Sequence, residues 1–407
     1  MDVKNIPIES LSSEDLIRPD ILADPYPLFR RLRLEDPVHR DAKGNGWMLT
    51  RYDDIALVMS DLRFSAERVL PRDRADGGAT LMSMALARQM LFLDPPDHNR
   101  LRKLFAKAFT PRRLEGLRPH IAEIANGLLD RAATAGIRID FIGDFAAPLP
   151  VAVIAQMLGM PREDWPRLRV WSRAFGQLIA GRTLCASEFQ QAEQDIGAFI
   201  EYCRGLITQR RQCPENDMLS DLIAVEEMGD RLSEQELIMN LILLFAAGHG
   251  TTTHLLGNGL LALLTHPDQW RRLLDDESIM STAVNELLRF DAPIQVTSRE
   301  ASEDILLAGK LIRAGELVRV FLGSANRDPE HFTDPDTLDV RRSGARILSF
   351  GHGIHTCLGS ALAKLEAEIA FTELIRRFPH ARIEEQALQR APSVSLRGLR
   401  RLTVTLG

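Results

Sequence analysis

From His98 to about Met228 apolar residues recur mostly at three- and four-residue spacing, the period of amphipathic helices, and prolines at 111, 148, 161 and 214 punctuate the run. Ahead of it, Asp24-Pro25 opens a helical pattern over Tyr26 to Glu35. Two short strands, around Val38 and over Trp47 to Thr50, flank a Lys43-Gly44-Asn45-Gly46 turn that reads as a hairpin. Further on, Ser233 and Glu236 stand at capping-box spacing, and the helical pattern they open runs to about Thr265, stopped by Pro267. At about 1.5 Å per residue this helix is on the order of 50 Å long, enough to cross a whole domain. Its apolar stretches, Leu241 to Ala247 and Leu260 to Leu264, cover several faces, which predicts a buried helix. Short alternating strands are expected near 295–320, a helix over about Ser360 to Phe378, and strand-like segments at the close. Many helices with small segregated sheets make an α+β chain, mainly α-helical. No repeat, low-complexity tract or linker divides 1–407, so a single domain is expected.

Composition adds exclusions. With 407 residues, 45% hydrophobic and 26% charged, the chain is ordinary globular material with a large core. A formal net charge of -6 and the absence of like-charge runs argue against nucleic-acid or membrane-arm functions. The start, MDVKNIPIES, shows no basic and apolar leader pattern, so no signal peptide is expected. The most apolar run, Leu241 to Ala247, is far short of the roughly 18 to 20 residues of a membrane span. The four cysteines, Cys185, Cys203, Cys213 and Cys357, show no CxxC pairing, which argues against a disulfide framework or zinc ribbon. A monomer in a reducing, cytoplasmic setting is the expectation.

Chemistry concentrates in Phe350-Gly351-His352-Gly353-Ile354-His355-Thr356-Cys357-Leu358-Gly359. This glycine-rich loop delivers one cysteine at the start of a strongly helical segment. Orphan N–H groups and the positive end of a helix dipole favour an anion there, and a cysteine so placed is ready to bind a metal as thiolate. Gly351, Gly353 and Gly359 let the backbone turn tightly and lie close to a flat cofactor. Two other readings stand beside this one: a buried, inert cysteine, which is the reading for Cys185, Cys203 and Cys213, and a zinc site of His352, His355 and Cys357, which is too tightly spaced for usual tetrahedral patterns.

The pattern Phe-x-x-Gly-x-His-x-Cys-x-Gly, as Phe350, Gly353, His355, Cys357 and Gly359, resembles the haem-binding loop of cytochrome P450 enzymes, and the resemblance extends over nearly the whole chain, toward soluble bacterial members. It implies the P450 fold, with a long central helix crossing the haem, haem b as cofactor, and Cys357 as the iron's protein ligand. Thiolate ligation pushes electron density onto iron and favours O–O cleavage. Glu286 and Arg289, i and i+3 on a helix, read alone as a surface salt bridge worth about 0–1 kcal/mol. The resemblance makes them a structural lock, with Arg342 third, after the stretch Asn326-Arg327-Asp328-Pro329. His98 and Arg102, one helical turn apart, read alone as a solvated helix face; the resemblance turns them, with Arg299 and His355, toward the haem propionates.

In the central helix, Phe245-Ala246-Ala247-Gly248-His249-Gly250-Thr251-Thr252-Thr253 sets polar residues among leucines. Small Ala247 and Gly248 would leave room for a ligand over the haem, and threonine hydroxyls can bond back to helix carbonyls. The family places an acid followed by threonine here, to open an oxygen pocket and relay protons. This chain has Thr251 in the alcohol place but Gly250 in the acid's, a glycine that costs a helix roughly 0.5–1 kcal/mol against alanine. Water, Thr251, Thr252, a substrate group or His249 are the alternative proton carriers. Substrate contacts implied by the resemblance are Leu81, Met82 and Met84, Leu244 and Ala247, Ile294 and Val296, and Leu399, all apolar, which favours a mostly apolar substrate.

The expected function is a haem-thiolate monooxygenase hydroxylating or epoxidising such a molecule with dioxygen and two external electrons. Gly250 keeps peroxide-driven oxidation or oxidative coupling open, and a haem sensor or carrier is the non-enzymatic alternative. No GxGxxG follows a strand, so no flavin module is expected, and the resemblance implies a separate ferredoxin and ferredoxin reductase. Arg100, Lys103, Lys107, Arg112 and Arg113 are the expected basic docking patch.

Overall fold

The computed structural model describes residues 6–44, 46–67, 80–179, 184–224, 226–227, 230–344 and 346–407. Asn45 of the expected turn and Met228 lie outside the described residues. The chain divides into two compact units: Met1–Ser65 with Ala125–Ala146 and Thr251–Gly407, and Ala66–Ile124 with Ala147–Gly250.

The first unit carries a five-stranded sheet in the order Val38–Arg40, Trp47–Leu49, Leu317–Phe321, Val296–Ala301, Phe64–Ser65. The expected hairpin forms its edge, with Val38 opposite Leu49. Leu317–Phe321 pairs parallel to Trp47–Leu49 and antiparallel to Val296–Ala301, which sets Val318 opposite Arg299. Period-two alternation sends Val318 and Val320 into a core with Ile55 and Val58. Those last two lie on a helix, Tyr52–Ser60, whose start is favoured by Asp53 and Asp54 in its first turn.

Helices dominate the second unit. Pro148 opens the helix Pro148–Met157 at its first position, where the missing N–H costs nothing. Pro111 likewise begins a helix, Pro111–Ala135, and Pro161 and Pro214 fall between helices. Among the described residues two short strands interrupt the helical reading of 98–228: Arg138–Asp140, which pairs with Thr403–Thr405, and Glu226–Glu227, which pairs with Asp230–Arg231. In the first, three residues burying one side chain, Ile139, are too few to show a period in the sequence.

The central helix spans Glu234–Thr265, 32 residues, and Pro267 begins the next helix. Its cap is the expected one: Glu236 N–H donates to Ser233 Oγ at 3.2 Å and Ser233 N–H donates to Glu236 Oε2 at 2.9 Å. Leu241, Ile242, Phe245, Leu256, Leu260 and Leu263 are all 0% exposed, as an all-round apolar helix requires. No helix among the described residues is long and apolar enough to cross a membrane.

Candidate functional site

The cysteine loop lies in the first unit and is shaped by its own backbone. Gly351 and Gly353 have φ of 75° and 71°, a left-handed conformation that side-chain-bearing residues avoid. Gly353 is doubly required, since a Cβ there would fall 2.4 Å from the Met59 carbonyl oxygen. Cys357 N–H donates to the Phe350 carbonyl at 2.8 Å, and Thr356 Oγ1 donates to the Gly353 carbonyl at 2.8 Å. The helix Ser360–Arg377 follows, with Gly359 as its N-cap and an ordinary φ of -85°. Gly359 is therefore not needed for a tight turn, contrary to the sequence reading. Nor does packing demand it, because a Cβ built there meets no described atom within 4 Å.

The lock behind this loop is buried, so the surface-salt-bridge reading fails. Glu286 and Arg289 side chains are each 1% exposed and share two bonds, at 2.7 and 2.8 Å. Arg289 also donates to the carbonyls of Asn326 at 3.0 Å, Pro335 at 2.6 Å and Thr337 at 3.0 Å. Arg342 Nε donates to Glu286 Oε1 at 3.1 Å, the third position expected for it. A further residue carries the lock to the cysteine loop. Fully buried Asn326 accepts from Leu348 N–H at 2.7 Å and donates to Ser349 Oγ at 2.8 Å, the two residues that precede Phe350. Asn326 stood in a singled-out stretch, but its partners lie more than twenty residues on and left no local signal.

Arg299, on the strand Val296–Ala301, is buried, and His355, in the turn Gly353–His355, is half-buried. In the second unit His98 and Arg102 share the helix Asp97–Ala106; His98 is 1% exposed, so it does not belong to a solvated face, and Arg102 is half-buried. Leu81, Met82 and Met84 lie on the helix Leu81–Leu86, where Glu193 accepts from Leu81 and Met82 N–H at 3.1 and 2.8 Å. Met82 is buried, whereas Leu81 and Met84 are exposed. Along the central helix, Leu244, Ala247, Gly248 and Thr251 are half-buried at i, i+3, i+4 and i+7, while Thr252 is buried. His249 bonds through Nδ1 to the Phe245 carbonyl at 2.8 Å, and burial pulls its pKa down, which keeps the imidazole neutral near pH 7. A Cβ built on Gly250 meets no described atom within 4 Å.

Two expectations need correction. Cys203 is buried and burial pushes its thiol up, but Cys185 and Cys213 are exposed, because they cap the two ends of the helix Ala186–Gln212. In the basic patch, Arg100 pairs with Glu236 and with Asp97 at 3.3 Å, and Arg113 pairs with Asp221, so both charges are neutralised within the unit. Lys103, Lys107 and Arg112 remain exposed.

Glu366, on the helix Ser360–Arg377, is fully buried, its Oε2 has no hydrogen-bond partner among the described residues, and burial raises its pKa well above 4.5. The folded state then binds this proton more tightly than the unfolded chain, so stability falls as pH climbs above about 4.5 toward the folded value. Glu366→Gln is expected to match wild type near pH 4 and to exceed it as pH rises from there toward the folded value, read by thermal melts across the pH range. Equal pH slopes for the two proteins would refute this.

The donor set fits haem. Among the described residues no three His, Cys, Asp or Glu side chains gather as a metal cage, which also disposes of the zinc reading. Cys357 is instead a single exposed thiol on a loop turned by backbone hydrogen bonds. Haem iron brings its macrocycle as equatorial ligand and needs one protein donor on a face. Gly359, bare where a Cβ would stand, lets a flat group approach the backbone beside that thiol.

The comparisons agree. The family model described as "Cytochrome P450" matches residues 181–397. The vitamin D(3) 25-hydroxylase of Pseudonocardia autotrophica is 41% identical over 402 residues, 97% of this chain and 96% of that protein. Among solved structures, P450BioI in complex with acyl carrier protein ligated to hexadec-9Z-enoic acid superposes with a TM-score of 0.88 at 39% identity, over 95% of this chain and 99% of that one. A myxobacterial P450, CYP267B1, in complex with myristic acid, also reaches 0.88, at 38% identity over 97% and 100% of the chains. With its buried Glu286–Arg289 pair, the Arg342 that joins it and its cysteine loop, this chain belongs to the cytochrome P450 family, as a haem b-binding oxidoreductase of the monooxygenase type.

Proposed function

We propose that Cys357 is the iron's protein ligand and that the enzyme oxygenates a mostly apolar small molecule with dioxygen and two electrons from a ferredoxin and its reductase. The observation that carries this reading is the Cys357 thiol, exposed on a loop whose turns are fixed by backbone bonds and backed by a buried ionic lock. Haem, when bound, supplies the oxygen activation that a thiolate ligand favours. His98, Arg102, Arg299 and His355 are the propionate partners: cationic and donor groups compensate carboxylates removed from water, and the burial of His98 and Arg299 supports the assignment. Phe350 and Gly359 on the cysteine side, and Ala247 and Gly248 on the central helix, are the residues proposed to lie along its two faces.

The half-buried stripe of Leu244, Ala247, Gly248 and Thr251 supports an apolar wall ending at one hydroxyl. Thr251 is the better proton carrier than Thr252, which is 2% exposed. The remaining substrate contacts, Leu81, Met82, Met84, Ile294, Val296 and Leu399, are all hydrophobic, and the substrate class fits the apolar molecules of the relatives: vitamin D(3), hexadecenoate on a carrier protein, myristic acid. Lys103, Lys107 and Arg112 are exposed cations proposed to steer an acidic electron donor.

Gly250 favours a second reading, peroxide-driven turnover, because peroxide brings its own protons where a carboxylate is missing. One set of assays tests both. A library containing myristic acid and vitamin D(3) is screened for spin-state shifts, and a hit is turned over with ferredoxin, reductase and NAD(P)H, or with hydrogen peroxide alone. Product from the reductase system supports the first reading; product from peroxide alone supports the second. Gly250→Glu is expected to leave product per NAD(P)H consumed unchanged or higher, since a Cβ built at Gly250 meets no described atom within 4 Å. A collapse of coupling with haem retained would refute the idea that only a proton carrier is absent.

A further inference from the structure

Two of the proposed substrate-contacting stretches in the first unit, Ile294 to Val296 and the turn ending in Leu399, are joined by little regular pairing. Ile294 and Leu396 form an isolated antiparallel bridge, Gln295 N–H donates to the Ser395 carbonyl at 2.8 Å, and Arg397 N–H donates to the Pro293 carbonyl at 2.8 Å. Buried side chains do the rest. Asp291, just past the helix Met280–Phe290, accepts from Arg397 Nε at 2.6 Å and from the Tyr26 hydroxyl at 2.7 Å. Arg397 also donates to the carbonyls of Leu22 at 2.8 Å and Ala23 at 3.0 Å.

The central helix supplies the remaining anchor. Asn258, 2% exposed, donates through Nδ2 to the Arg397 carbonyl at 2.9 Å and to the Asp291 carbonyl at 3.3 Å. Its Oδ1 accepts from Arg390 at 3.3 Å. Two donors and one acceptor are what a carboxamide offers; a carboxylate only accepts and an aliphatic side chain does neither. The turn lies directly on the helix: a Cβ on Gly398 would fall 1.9 Å from His254 Nδ1. His254 is three residues beyond Thr251, and Asn258 is one helical turn further.

We propose that Asn258 is a specificity-determining positioning residue. Its carboxamide fixes the height of the 294–296 and 396–399 stretches above the helical turn that follows Thr251, and so shapes the apolar wall a substrate meets. This rests on Ile294, Val296 and Leu399 being substrate contacts. The separate Asp291–Arg397 pair holds the cluster together, so losing the amide displaces these stretches without unfolding them.

The test uses the holoenzyme and two azoles read by their Soret shifts. Imidazole reports access to the haem iron; 4-phenylimidazole adds contact with the apolar wall. Asn258→Asp keeps the size and the Arg390 contact but loses both donations. It is expected to change the 4-phenylimidazole to imidazole affinity ratio by at least about fivefold, with imidazole affinity and haem content within about twofold of wild type. Amide exchange at Gln295 and Arg397 is expected to accelerate by at least about tenfold, with Val318 and Val320 unchanged. Arg397→Lys, which loses the Leu22 and Ala23 bonds, is the second variant, with a smaller change in the same direction. An unchanged ratio and unchanged exchange in haem-replete variants would overturn the proposal alone. Wild-type protein giving no Soret response to imidazole would overturn the haem-site reading, and the proposal with it.

Discussion

Glu286→Ala is expected to yield almost no haem-loaded protein. The Glu286 carboxylate is the only acid bonded to both Arg289 and Arg342 among the described residues, and it also accepts from Asp339 N–H at 2.9 Å. Its removal leaves the Arg289 guanidinium, 1% exposed, as an uncompensated buried charge. Breaking a buried pair from one side costs about 3–5 kcal/mol, a large part of the roughly 5–15 kcal/mol that keeps a domain folded. The damage reaches the cysteine loop through Asn326, whose carbonyl accepts from Arg289 while its side chain holds Leu348 and Ser349. Glu286→Gln keeps shape and one acceptor and is expected to fall between. The measurements are soluble yield, Soret-to-protein absorbance ratio and thermal midpoint. A Glu286→Ala protein with wild-type midpoint and full haem content would refute the account.

What the sequence made legible was local. The central helix announced itself by the Ser233–Glu236 cap and by leucines on several faces, and the Val38–Leu49 hairpin by its turn residues. These features are decided by neighbours a few residues apart. The depth of a side chain is decided elsewhere, so Glu286 and Arg289 looked the same as any exposed i, i+3 pair until Asn326, Pro335 and Thr337 closed around the guanidinium. Asn258 shows the same limit: its partners Asp291 and Arg397 are far along the chain, and an asparagine within a helix carries no mark of what it holds. Arg100 and Arg113 read as part of a patch because charges were visible and their partners, Glu236 and Asp221, were not. The glycine motif was legible for Gly351 and Gly353 on backbone grounds; at Gly359 the resemblance alone named the residue, and the backbone reason offered for it does not hold.

The largest spectroscopic effect is expected at Cys357. A serine hydroxyl does not ionise near neutral pH, so Cys357→Ser replaces an anionic sulfur donor with a neutral oxygen and removes the electron push that thiolate gives the iron. The reduced, carbon monoxide-bound wild type is expected to show the red-shifted Soret band of thiolate ligation, and Cys357→Ser to lose it completely, with reductase-driven turnover falling at least about a hundredfold, some 2.7 kcal/mol in barrier. The fold should survive. The bonds that shape the loop, Cys357 N–H to the Phe350 carbonyl and Gly351 N–H to the Leu348 carbonyl, are backbone bonds that serine keeps, and the thiol itself is exposed. The unloaded protein is therefore expected to melt within about 0.5 kcal/mol of unloaded wild type, as exposed substitutions usually do. The other cysteines provide the control. Cys203 is buried with its thiol pushed toward the neutral form, and Cys185 and Cys213 cap a helix in the other unit, so serine at any of these should leave the band intact. A red-shifted band that persists in Cys357→Ser and vanishes in one of the three controls would move the ligand to that residue, and the glycine turns around Cys357 would need another purpose.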